Sequence, residues 1–118
     1  MLPARHRLRE SADFTSAVRG PGAKRAGGRL LVVHVNRTDA RADLPQRVGF
    51  VVSKGVGHAV ARNRTKRRLR HIAAGHLGEI PVGTDVVVRA NPLAAQADYA
   101  DLESAFSRQL RSACEALR

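Results

Sequence analysis

Tryptophan is absent from the 118 residues, tyrosine occurs once, phenylalanine three times, and there is one cysteine and one methionine. A single cysteine, Cys114, excludes an intrachain disulfide scaffold and a cysteine-built zinc site and fits a reducing, cytoplasmic setting. With aromatics at 3%, a core has to be assembled from Val, Leu, Ile and Ala. No window approaches the ~20 apolar residues of a membrane span, and Met1-Leu2-Pro3-Ala4-Arg5-His6-Arg7 does not lead into an apolar run of signal-peptide length. Neither export nor membrane insertion is expected.

Acidic residues are scarce as well, 10 against 21 Lys plus Arg, for a formal net charge of +11. The few present do not cluster: Asp39, Asp43, Glu79 and Asp85 are scattered, whereas a protein-only two-metal nuclease wants grouped carboxylates. His71 and His76 are five apart, not the four of a His-Glu-x-x-His site, and His6, His34 and His58 show no ligand grouping. No metal site built by the protein is expected.

What is abundant is apolar residues, at 43%, enough for one compact domain over residues 1–118, and cations. Only Lys24, Lys54 and Lys66 are lysines; the other cations are Arg, whose flat fork suits bidentate phosphate contacts, although a GC-rich genome produces the same bias. The charge is segregated: residues 1–78 carry 17 cations against Glu10, Asp13, Asp39 and Asp43, and no acid occurs between Leu44 and Gly78. A charge serving solubility alone would be mixed; this one is the footprint of a polyanionic partner.

Hydrophobic periodicity predicts a short helix from Ser11, taken as its cap, to Gly20, with Phe14 and Val18 on one face. A basic Gly/Pro-rich loop, Arg19 to Gly28, has room for a short strand in its middle and lacks the Gly-Lys-Ser/Thr ending of a phosphate-binding P-loop. Leu30–Val35 and Arg47–Ser53 read as strands, most simply joined as a hairpin across the turn-rich Asn36–Pro45. A helix from about His58 to Gly75, a strand at Thr84–Arg89 and a helix from Asp98 complete the chain, the last with Leu102, Phe106, Leu110, Ala113 and Leu117 in one stripe. The order predicts an α+β two-layer sandwich of helices on an antiparallel-rich sheet.

The helix after Gly57 carries six cations within the nine residues from Arg62 to Arg70. At ~100° per residue, Ala61, Thr65, Leu69, Ile72 and Ala73 form one narrow apolar side. Arg62, Lys66 and Arg70 make a row beside it, Asn63 and Arg67 follow, and Arg64 and Arg68 return along the far flank. Like charges repel at every i,i+4 step, and a merely solvated face would intersperse Glu, so the pattern points to phosphate binding. Asn63, a neutral amide among cations, reads as a specific hydrogen-bonding group. On residue type alone Phe14, Phe50 and Phe106 read as core.

These residues resemble the protein subunit of bacterial ribonuclease P. The family's Arg-Asn-Arg signature stands intact at Arg62-Asn63-Arg64 and continues into Lys66, Arg67 and Arg70. Arg47-Val48-Gly49-Phe50-Val51-Val52-Ser53-Lys54, followed by Val56-Gly57-His58-Ala59-Val60, is similar to its Arg-Val-Gly strand and Val-Gly-Asn-Ala turn, and Arg7-Leu8 and Asp13-Phe14 to its N-terminal entry. The matched blocks cover about half the chain, in the family's order. The resemblance implies a helix-strand-strand-strand-helix-strand-helix order with about four strands and an unusual left-handed β-α-β crossover. It implies an accessory subunit of an RNA-catalysed endonuclease that joins the catalytic RNA and removes the 5′ leader of precursor tRNA, with Mg²⁺ held mainly by the RNA and no DNA partner.

Carried over residue by residue, the resemblance assigns RNA binding to Lys54, Arg62, Asn63, Arg64, Lys66, Arg67, Arg68 and Arg70. It assigns a cleft for the single-stranded leader, between the first helix and the sheet, to Phe14, Val18, Val33 or His34 according to register, Ser53, Arg62 and Asn63. Val18 stands where the family has a second aromatic, Gly55 where it has a second Lys, and His58 where it has the turn's Asn. With fewer rings for base stacking, worth about 1–3 kcal/mol per base, the cleft should rely more on phosphate contacts. A ribosomal or ribosome-assembly RNA-binding protein of similar fold is the alternative; a membrane-surface role lacks the broad apolar helix face it needs.

Overall fold

The computed structural model describes residues 2–117. Helix α1 spans Ser11–Arg19, strands β1 Lys24–Gly27, β2 Leu31–Arg37 and β3 Arg47–Val51 follow, then helix α2 Ala59–Gly75, strand β4 Thr84–Ala90 and helix α3 Tyr99–Ala116. The four strands form one mixed sheet in the order β1-β2-β4-β3. The architecture is α+β, as the sequence pattern and the resemblance led one to expect.

The expected hairpin between the second and third strands is not formed. β2 pairs antiparallel with β4 (Val33 opposite Val88, Val35 opposite Val86), and β4 pairs on its other side in parallel with β3 (Val48 opposite Val86, Phe50 opposite Val88). The physical reason lies in β4: Val86, Val87 and Val88 are all buried, so this strand needs cover on both faces and neighbours on both edges. It therefore takes a central position, and β3-α2-β4 becomes the parallel crossover unit.

Strand alternation divides the residues between two faces. On one, Leu31, Val33, Val35, Val48, Val86, Val88 and Ala90 pack against Leu69, Ile72 and Ala73 of α2 and Leu102, Phe106, Leu110 and Ala113 of α3. On the other, Val87 packs with Leu8, Ala17, Phe14 and Val18, so α1 lies across that face by itself. Ser11 opens α1 but does not cap it: Glu10 is the preceding extended residue, no side chain caps the helix, and Ser11 instead gives its carbonyl to the Thr15 hydroxyl at 3.1 Å.

Gly49 is where α1 meets the sheet. A Cβ at this position would sit 2.4 Å from Phe14 Cζ and 3.0 Å from Leu8 Cβ, so only glycine lets the Phe14 ring approach β3 this closely. Gly57, at φ 145°, turns the chain into α2 in a conformation that favours glycine.

Candidate nucleic-acid interface

Helix α2 buries Thr65, Leu69, Ile72 and Ala73, the side the sequence pattern selected. Thr65 tolerates burial because its hydroxyl donates to the Ala61 carbonyl at 2.9 Å. With that side fixed, the cations fan outward. Asn63, Arg64, Arg67 and Arg70 are exposed, and Arg62, Lys66 and Arg68 are half-buried.

The fan has three parts. Arg64 and Arg68 reach the turn at Pro92–Gln96 and the residue beyond it, Arg64 Nη2 donating to the Ala95 carbonyl at 3.4 Å and Arg68 Nη1 to the Ala97 carbonyl at 3.1 Å. Lys66 and Arg70 face the edge of β3, where they line a groove with Arg7 and Arg9. Asn63 and Arg67 point to neither. Among the described residues the ion pairs are those of Arg47 with Asp13 and Asp85 and of His76 with Glu79 and Glu103, so no α2 Lys or Arg is neutralised by a carboxylate. Arg62 Nε is buried without a hydrogen-bond partner. A helix holding this much uncompensated charge is built for anionic oxygens from elsewhere.

Across the sheet, Phe14 and Val18 form the underside of α1. Two polar links hold the helix down: Asn36 Nδ2 donates to the Ser16 carbonyl at 2.9 Å, and Arg47 bonds Asp13 of α1 at 3.1 Å while gripping Asp85 of β4 at 2.7 and 2.8 Å. The hydrogen bonds to Asp85 raise the Arg47 pKa further, fixing its charge. Beyond α1 on the same face lies His34, opposite Arg25 of β1 in the pairing register and near Arg89 of β4. Burial first, then these two guanidinium groups, lower the His34 pKa from its usual 6.5.

The register between Val33 and His34 is decided here. Val33 is wholly buried among the side chains facing α2 and α3 and is not a cleft residue; His34, one residue on, faces the α1 side. Ser53 and Lys54 are exposed in the connection from β3 to α2, and Arg62 and Asn63 lie in the first turns of α2, which packs on the opposite face from α1. Sequence reasoning missed Arg25 and Arg89 beside His34, and Arg7 and Arg9 beside Lys66 and Arg70. The only signal was their charge, which cannot reveal such neighbours without the strand pairing.

Among the described residues no three or more His, Cys, Asp or Glu side chains are grouped to hold a metal ion, and Asp13 and Asp85 are both engaged by Arg47. Among the described residues no helix is long and apolar enough to cross a membrane.

The ribonuclease P family model matches residues 2–114. The chain belongs to the ribonuclease P protein family. It is 48% identical over 110 residues to the ribonuclease P protein component of Acidothermus cellulolyticus, covering 93% of this chain and 89% of that one. It is 52% identical over 113 residues to that of Kocuria rhizophila, covering 96% and 92%. Among solved structures, the RNase P protein of Staphylococcus aureus superposes with a TM-score of 0.79 at 26% identity over 92% of this chain and 94% of that one. That of Thermotoga maritima gives 0.76 at 27% identity over 92% and 97%. The ribonuclease P protein fold thus extends over the α1 face, the sheet and α2 together.

Proposed function

We propose that this ribonuclease P protein binds the catalytic RNA of the enzyme and the 5′ leader of precursor tRNA, promoting endonucleolytic 5′ maturation in the cytoplasm. The observation that carries the reading is the uncompensated cationic fan of α2, rigidly mounted by Leu69, Ile72 and Ala73 and free of carboxylate partners among the described residues. Arg67, Asn63 and the Lys54 connection contact the catalytic RNA; Arg64 and Arg68, tied to backbone carbonyls, present what remains of their donor sets. Phe14, Val18 and His34 form the floor on which the leader lies, with Arg25 and Arg89 reaching its phosphates.

Hydrolysis of the phosphodiester needs an activated water, and in this reading the reacting centre and its Mg²⁺ belong to the RNA, which is supported by the lack of a group of three or more metal-ligating side chains among the described residues. The protein's contribution is charge neutralisation and orientation of the leader.

Incubating precursor tRNA at low Mg²⁺ with protein, with catalytic RNA, and with both tests the proposal. Leader release that requires both supports it. Cleavage by protein alone, or no stimulation of the RNA, overturns it, and the second result favours a ribosomal RNA-binding role.

A further inference from the structure

Asp101 and Arg108 lie seven residues apart on α3, so they share a face but stand two turns from each other, about 10 Å along the helix axis. Both line a cavity of about 530 Å³ between α3, the turn from β1 to β2 and the Pro92–Gln96 turn. Asp98, the residue before α3, adds a second carboxylate, which caps no backbone group, and Arg29 of the β1–β2 turn adds a second guanidinium. Two acids and two bases thus share one cavity. None of the four is in an ion pair among the described residues, and none of their side chains is in a hydrogen bond there.

The walls are fixed. Asn91 Nδ2 donates to the Gly28 and Arg29 carbonyls at 2.9 and 3.3 Å, and the Asn91 amide to the Leu30 carbonyl at 2.9 Å, which fastens the turn carrying Arg29 to the end of β4. Gln109 also lines the cavity; it is 6% exposed, and its Oε1 is buried without a hydrogen-bond partner. A buried amide oxygen left unpaired is costly, and such exceptions mark places where a ligand completes the set. Leu30, Ala97 and Ala105 give the same cavity an apolar part.

A ligand that satisfies all of these carries hydrogen-bond donors at one end, an anion at the other and a flat body between. An ionised carboxylate only accepts, through two oxygens side by side. Guanine is the base whose edge offers two adjacent donors, N1–H and N2–H; adenine and the pyrimidines lack that pair. Guanidinium forks suit a phosphate. The volume lies within the range of small-molecule sites.

We propose that this cavity is a guanine-nucleotide site, in which Asp101 accepts from N1–H and N2–H, Gln109 receives a ribose hydroxyl, and Arg29 and Arg108 hold the phosphate. No residue of α1 or α2 lines it. The guanine comes as a free nucleotide or as an unpaired guanosine of an RNA chain, and both present the same edge and phosphate.

Isothermal titration calorimetry of the full chain with GMP, with AMP, and with a uridine hexamer carrying or lacking one central guanosine tests the site. Asp101→Asn and Arg108→Ala, both at exposed positions, are confirmed folded by circular dichroism, and Asn63→Ala/Arg67→Ala serves as the α2 control. GMP should bind about tenfold more tightly than AMP, and the α2 control should leave that preference unchanged. Asp101→Asn should abolish the preference without weakening AMP, since it makes the chain more positive. Arg108→Ala should weaken GMP and AMP alike and keep the preference. If the ligand is a free nucleotide, the guanosine hexamer binds no better than GMP. If it is part of an RNA chain, that hexamer binds more tightly than GMP and than the uridine hexamer, and loses the advantage in Asp101→Asn. No GMP binding, equal binding of GMP and AMP, a preference that survives Asp101→Asn, or a GMP affinity untouched by Arg108→Ala overturns the site. The role of α2 would still stand, because leader release tests it separately.

Discussion

Arg47 grips Asp85 with two donors at 2.7 and 2.8 Å and reaches Asp13 with a third at 3.1 Å, so one guanidinium ties β3, β4 and α1 together. The side chains of Arg47 and Asp85 are 16% and 12% exposed, which makes the pair costly to leave half-made. Arg47→Ala strands the Asp85 carboxylate and should destabilise the fold by about 3 kcal/mol. Arg47→Lys should recover only part of this, since an ammonium cannot reproduce the fork. Urea denaturation of both variants checks the ordering; equal stability of Arg47→Lys and the unaltered protein would show that charge alone suffices.

Gly49 and Phe14 form the second joint between α1 and the sheet. Gly49→Ala places a methyl 2.4 Å from the Phe14 ring and should cost about 1–3 kcal/mol through overpacking. Phe14→Leu in the same chain shortens the opposing side chain. The double variant should therefore regain stability relative to Gly49→Ala, a coupling that denaturation of the four proteins in the cycle measures. Additive losses would mean that the two residues do not bear on each other.

His34 gives the protein an acid-sensitive face. Its pKa is lowered in the fold by burial, then by Arg25 and Arg89, while Asp85 on the same sheet face is held by Arg47. The unfolded chain takes up the proton near the usual 6.5 and the folded chain only at lower pH, so stability falls as pH drops from about 6.5 through the folded value. Melting temperatures of the unaltered protein and His34→Gln from pH 7.5 to 5 should diverge on acidification, the unaltered protein losing more. A phosphate strand laid across this face favours the charged ring, so binding there should tighten as pH falls, and His34→Gln should remove that trend.

Much of this was legible in the chain itself, where the information was local. The buried side of α2 followed from the spacing of Thr65, Leu69, Ile72 and Ala73, because a helix fixes which residues share a face. The stripe of α3 through Leu102, Phe106, Leu110 and Ala113 followed in the same way. Strand order did not, because pairing is a non-local choice: β2 and β3 looked like neighbours until β4, buried on both faces, came between them. The ambiguity between Val33 and His34 had the same origin, since a one-residue change of register exchanges the two faces. Arg9 and Arg70 meet at one groove across some sixty residues of chain, and no pattern along the sequence records that.

Leu69 tests whether the cationic helix depends on its mounting. It is 1% exposed, and Leu69→Ala should cost about 2–5 kcal/mol through the cavity left beneath α2. RNA affinity should fall in proportion to the folded fraction and recover on cooling or on addition of a stabilising osmolyte. Persistent loss in a fully folded sample would place Leu69 in the interface itself.

In the proposed function, the exposed polar and cationic residues of α2 deliver this protein's effect on an RNA catalyst. The most direct measurement is the rate of leader release from precursor tRNA at low Mg²⁺ by the catalytic RNA with the unaltered protein or with Asn63→Ala/Arg67→Ala, whose substituted side chains are exposed and have no hydrogen-bond partner among the described residues. Strong stimulation is expected from the first and little from the second at equal folded concentration. Equal stimulation by both, or cleavage with no RNA catalyst present, would contradict it.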